Sequence, residues 1–182
     1  MSPRVRQLGW LLLLCWLTWL QAARGWLGAR VLPPEWVPDL GLLLFLAVAA
    51  RLDQRVMARR HETTGIAGLV LAAAAAELCI SIQAAAPVLA GWLGVLLWQN
   101  LWRRGLDVER PLLRILVAGS GALGLLAWRR LVQGLDLAGS SVPLTASGDG
   151  AWRGVLLTAA LAPVVMPALL ALPGLPWYWR RR

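Results

Sequence analysis

The chain contains no lysine, one histidine and two cysteines, and only 15% of its 182 residues are charged. A typical soluble domain is about 25% charged, so this chain has too little polar surface to cover a water-soluble domain of its size. The single histidine, His61 in "ARRHETT", has no cysteine cluster beside it, which speaks against a structural metal site. Cys15 and Cys79 each fall inside an apolar run, and this predicts buried thiols, not a disulfide. All 18 basic residues are arginine, and with alanine, glycine and proline so frequent the missing lysine reads as the codon usage of a GC-rich genome.

Signatures of catalysis are missing as well. No GxSxG elbow occurs, and one histidine in a basic loop gives a serine triad no geometry; His61 reads as a solvated loop residue. There is no Walker A motif and no aspartate pair of the kind that holds Mg²⁺ on a diphosphate. Asp107 and Glu109 lie between arginines in "RRGLDVERP", where local charge balance accounts for them. The glycines of "AGSGALG" (Ala118–Gly124) sit inside an apolar run and suit close helix packing better than a phosphate cradle. These absences predict a protein that is not an enzyme and needs no metal or cofactor.

What the chain does have is apolar length. Apolar residues make up 59% of it, and the mean hydropathy is +0.63. A helix needs about 20 residues to cross a ~30 Å hydrocarbon core. Six segments approach that length, at about 7–23, 37–52, 65–86, 88–102, 112–129 and 152–172. The expected fold is therefore an all-α integral membrane protein, one domain built as a six-transmembrane-helix bundle. The first segment also fits a signal peptide, with basic Arg4 and Arg6, an apolar centre and "QAA" before Arg24; cleavage there would leave five spans. The second is short, and Trp36 and Arg51 would reach to the interface at its ends. Pro87 marks a tight re-entry between the third and fourth spans, and "RRLVQGLDLAGSSVPLTASGDG" (Arg129–Gly150) reads as an interfacial helix followed by loop.

With six spans and a cytoplasmic N-terminus, 13 arginines fall on the inner side and 5 on the outer. This positive-inside bias places both termini in the cytoplasm. It also accounts for the net charge of +9 without nucleic acid. Trp10, Trp26, Trp36, Trp102, Trp128, Trp152, Trp177 and Trp179 lie near span ends as interfacial belts, while Trp16, Trp19, Trp92 and Trp98 lie deeper, toward lipid or a partner.

One carboxylate stands out, Glu77 in "AAAAAELCISIQAAAP". Helical spacing puts Val70, Ala73, Ala74, Ser81 and Ala84 on its face, and Gly68, Ala72 and Ala76 form a second row of small residues. A charge at mid-bilayer costs at least ~2.5–3.5 kcal/mol, so Glu77 should face the bundle. It can serve there as a polar clamp between helices or subunits, as a protonated structural group, or as a proton or ion relay. Pro38 and Asp39 open the second span, where a proline is tolerated and an acid suits the helix dipole. Pro163 and Pro167 in "APVVMP" each remove a helical hydrogen bond, which predicts a kink or a docking notch in the sixth span.

Three of these stretches, in this order, resemble the rod shape-determining protein MreD family of bacteria. They are "PDLGLLLFLAVAARL" (Pro38–Leu52), "GLVLAAAAAELCIS" (Gly68–Ser81) and "APVVMPALLALPGLPWYWRRR" (Ala162–Arg182). The chain departs from the family pattern in carrying Glu77 where aspartate is usual and "SIQAAAP" in place of a Gly-rich turn. The resemblance implies a non-enzymatic scaffold subunit of the cell-wall elongation complex in the bacterial inner membrane, acting in cell shape and peptidoglycan synthesis. Its implied partners are a membrane-anchored MreC-like protein, the actin-like filament system and a peptidoglycan glycosyltransferase–transpeptidase pair, besides the lipid bilayer itself. Its candidate packing or partner-binding residues are Pro38, Asp39, Gly68, Glu77, Ser81, Pro163 and Pro167. The family is also similar in fold to the substrate-binding subunits of energy-coupling-factor transporters, so the alternative function is a small-ligand-binding subunit of a vitamin-type transporter. Genes for an MreC-like protein and a transpeptidase beside this one would favour the scaffold, and genes for ATPases would favour transport.

Overall fold

A computed structural model describes residues 3–56, 63–80, 84–103, 111–134, 150–173 and 175. Among them are six α-helices: α1 (Pro3–Arg30), α2 (Leu40–Val56), α3 (Thr63–Leu78), α4 (Ala85–Arg103), α5 (Pro111–Gly134) and α6 (Ala151–Leu170). A 3-10 turn, Pro34–Trp36, precedes α2, and the described residues include no strand. Each helix overlaps one expected segment, but α1 runs from Pro3 to Arg30, well past the expected 7–23.

Every residue of α2 from Leu42 to Ala49 is buried. A helix that is apolar all round needs neighbours all round, and α2 packs against each of the other five. Around it the contacts run α1 to α3 to α4 to α5 to α6, and the 3-10 turn touches both α6 and α1. Among the described helices α2 is thus the innermost. Its 17 residues rise about 25 Å as the axis of a bundle, not as a wall of it.

The outer helices turn apolar side chains outward. Trp19 on α1, Leu71 on α3, Leu97 on α4, Leu112 on α5 and Val164 on α6 are all exposed. An apolar exterior of this extent marks a surface made for something other than water. Among the described residues two helices, α5 and α6, are by length and composition apolar enough to cross a membrane.

Three expectations need correction. The third segment does not continue to Ala86: α3 stops at Leu78, a turn follows at Cys79 and Ile80, and α4 starts at Ala85. Pro87 therefore lies in the first turn of α4, where its missing N–H is not needed, and it does not separate the two helices. Cys15 and Cys79 are exposed. An apolar run does not say which of its residues face inward, and the outer faces of these helices carry apolar side chains as well. Trp92, expected to meet lipid or a partner, is fully buried against Phe45, with ring centroids 4.8 Å apart.

Arg129–Gly134 prolongs α5 by a turn and a half without a break. Residues 135–149, which carry the rest of the expected interfacial segment, lie outside the described residues, as do His61, Ser81, Asp107, Glu109, Trp177 and Trp179. In α6 the helix is continuous through Pro163 and Pro167; Pro167 is exposed, and Ala162, Met166 and Leu169 carry the core contacts.

Small residues set the closest approaches. The indole of Trp10 lies against Gly68, where an added Cβ would sit 3.2 Å from the ring. At Gly154 an added Cβ would lie 3.0 Å from the Val37 carbonyl oxygen and 3.2 Å from that of Glu35. Both are backbone atoms of the segment leading into α2, so neither can swing aside. Gly154→Ala is expected to destabilise the fold by about 1–3 kcal/mol, read as a lower thermal unfolding midpoint in detergent. An unchanged midpoint would show that this segment is not seated on α6.

Candidate functional site: a buried charge network

Asp39 caps α2. Its Oδ1 accepts a hydrogen bond from the Leu42 N–H at 2.9 Å, satisfying a backbone donor that a helix start leaves unpaired. Its own N–H donates to Thr158 Oγ1 at 2.9 Å, and that hydroxyl donates to the Gly154 carbonyl at 2.7 Å. The cap is thus pinned to α6. Pro38, just before it, is buried and has no N–H to satisfy.

The second oxygen of Asp39 faces two arginines. Arg24 Nη1 on α1 is 2.8 Å from Oδ2, and Arg129 Nη1 on α5 is 3.7 Å from the same atom. Arg129 turns its other nitrogen, Nη2, to Glu77 Oε1 on α3 at 2.8 Å. Glu77 Oε2 accepts the indole N–H of Trp92 on α4 at 2.8 Å. The chain Arg24–Asp39–Arg129–Glu77–Trp92, with Thr158 on the Asp39 amide, takes one residue from each of the six helices or, for α2, from its cap.

Two positive and two negative groups balance. Side-chain exposure is 9% for Asp39, 12% for Glu77 and 15% for Arg129, while Arg24 is open to 33%. Charges this deep are tolerated only when paired and hydrogen-bonded, because an isolated one loses several kcal/mol of hydration. The planar guanidinium of Arg129 suits its position, since it can present separate nitrogens to two carboxylates.

A second, more open pair lies at the same end of the bundle. Arg153 Nη1 is 2.8 Å from Glu35 Oε1, and the Arg153 guanidinium stands 5.6 Å from the Trp36 ring centroid and 5.7 Å from that of Trp152. It ties the 3-10 turn to the start of α6. With side chains 38% and 40% exposed, it adds at most about 1 kcal/mol.

Of the residues singled out from the sequence, Asp39 and Glu77 meet in this network through Arg129, and Pro38 leads into it. Gly68 packs on Trp10 instead, and Pro163 and Pro167 belong to α6 without a bond to the cluster. Arg24, Arg129, Trp92 and Thr158 were not expected here. Arg24 falls just past the expected first segment of about 7–23, and only the continuation of α1 to Arg30 puts it on a helix.

The network bears on the three readings of Glu77. Its salt bridge and indole bond make it a clamp between helices of one chain. The next polar group inward, Gln99, bonds to the Leu46 carbonyl. Between Asp39 and Leu46 lie about 10 Å of helix, lined by the fully buried Leu42, Leu43, Leu44 and Phe45. That apolar plug separates the two polar centres and disfavours a relay.

No protein-family model, curated protein or solved structure matches this chain.

Proposed function

We propose that the chain is a non-enzymatic membrane scaffold subunit of the bacterial cell-wall elongation machinery, of the MreD type. One observation carries the reading. The two acids through which the resemblance runs, Asp39 after Pro38 and Glu77 before Ser81, lie far apart in sequence yet share Arg129. Residues that look like separate landmarks in the sequence are parts of one device, and that device locks helices together. Such a lock is what a scaffold needs: a rigid bundle with its charges turned inward and an apolar exterior for lipid and for partner helices.

In this reading all six helices cross the inner membrane with both termini in the cytoplasm, and the charge network lies at the periplasmic end. The bundle is then similar in fold to the substrate-binding subunits of energy-coupling-factor transporters, without their transport role. Its direct partner is an MreC-like membrane-anchored protein, which would link it to the actin-like filaments and the glycosyltransferase–transpeptidase pair.

Co-expression with the MreC-like protein of the same genome tests the role. Recovery of both in one complex after mild detergent extraction is the expected result, and recovery of this chain alone would contradict it. The topology has its own test, in which cysteines placed at Arg55 or Arg104 should resist impermeant reagents from the periplasm; labelling there would overturn the proposed orientation.

A further inference from the structure

Among the described residues, two buried side-chain atoms, Gln99 Oε1 and Trp102 Nε1, have no hydrogen-bond partner within the protein. Both belong to α4, three residues apart, which places them on one helix face. With Trp92 and Val95 they make an inward row at the alternating three- and four-residue spacing of a packed seam. Gln99 is 2% exposed.

The orientation of the Gln99 amide is fixed by its neighbour. Its nitrogen is 3.0 Å from the Leu46 carbonyl oxygen, and a carbonyl can only accept. Rotating the amide by half a turn would set two acceptors against each other, so the oxygen is the free end. The row therefore presents one buried acceptor, Gln99 Oε1, and one buried donor, the Trp102 N–H. Buried polar atoms left unpaired lose their hydration without recompense, and native proteins meet such pairs with ordered water.

We infer that Gln99 and Trp102 hold one buried water molecule between α4 and α2. The water donates to Gln99 Oε1 and accepts from the Trp102 indole N–H. The paired demands select this ligand class. A cation has no use for an indole donor and an anion is repelled by an amide oxygen, whereas a neutral O–H group meets both demands. Burial of both atoms favours the smallest one. The water would hold α4 to α2 about 10 Å along the helix from Trp92, so that polar contacts fasten this helix both to the charge network and to the far half of the axis.

The test is a water-to-indole cross-peak in nitrogen-edited NMR of the ¹⁵N-labelled full chain in lipid nanodiscs. Trp102→Phe assigns the resonance by its disappearance. The expected result is a cross-peak between water and the Trp102 indole proton in the wild-type protein, lost in Gln99→Leu and in Gln99→Met. The Trp92 indole, held by Glu77, reports that each variant is folded. Absence of the cross-peak in the wild type, its survival in a folded Gln99 variant, or a cross-peak to lipid protons in its place would each overturn the inference. The wild-type spectrum decides on its own should neither Gln99 variant fold.

Discussion

Arg129→Leu is expected to lower the stability of the bundle by about 3–5 kcal/mol, the range for removing one partner from a buried ion pair. The loss arises less from the missing attraction than from what stays behind. Glu77 would lose its salt bridge to Arg129 while keeping the Trp92 indole, and Asp39 would keep Arg24 and the Leu42 N–H. A carboxylate 12% exposed inside an apolar bundle would then lack its salt bridge to α5. Arg129→Lys should recover only part of the loss. Lysine carries one compact ammonium, whereas Arg129 sets two nitrogens toward two acids. Thermal unfolding in detergent, followed by the fraction that stays monodisperse, reads both variants. A leucine variant as stable as the wild type would remove Arg129 from the core of the account.

Asp39→Ala is expected to be about as damaging, by a different route. Asp39 closes the first turn of α2 and also balances Arg24, so alanine leaves an unpaired helix start and an unpaired arginine together. The cap alone is worth about 0.5–2 kcal/mol, and the broken buried pair brings the total to about 3–5 kcal/mol. Asp39→Asn separates the two contributions. Its side-chain oxygen can still accept from the Leu42 N–H, so it should keep the cap and lose the charge. It is therefore expected to lie about 1 kcal/mol above the alanine variant. Equal stability of the two variants would mean that the cap contributes nothing, which the short Leu42 contact contradicts.

The helices themselves were legible because apolar runs of bundle length are hard to mistake. Their ends were less so. α1 reaches Arg30 and α5 reaches Gly134, beyond the last apolar stretch, because a helix can continue while its side chains turn polar. The Asp39 cap could be read from "PD" before a leucine run, and Glu77 from its isolation among alanines. The network joining them could not. Near the end of an apolar segment, Arg129 looks like any interfacial arginine, and only the packing of α5 on α2 brings it within reach of Asp39 and Glu77.

Trp92 teaches a different lesson. Its depth in the apolar segment points to lipid or a partner, yet the residue is buried against Phe45. The spacing of Trp92, Val95, Gln99 and Trp102 marks an inward seam, and that signal was present in the sequence. The cysteines err the other way. In a bundle with an apolar exterior, hydropathy alone does not tell inside from outside.

A double-mutant cycle on Glu77 and Arg129 tests most directly whether this bundle is held by an ion pair across its helices. Unfolding free energies would be measured for the wild type, Glu77→Leu, Arg129→Leu and the double variant. Each single change is predicted to be destabilising, and the double change to cost clearly less than their sum, because the 2.8 Å ion pair is then lost once and not twice. Strictly additive losses would contradict the account, since they would mean that the two groups stand 2.8 Å apart without depending on one another.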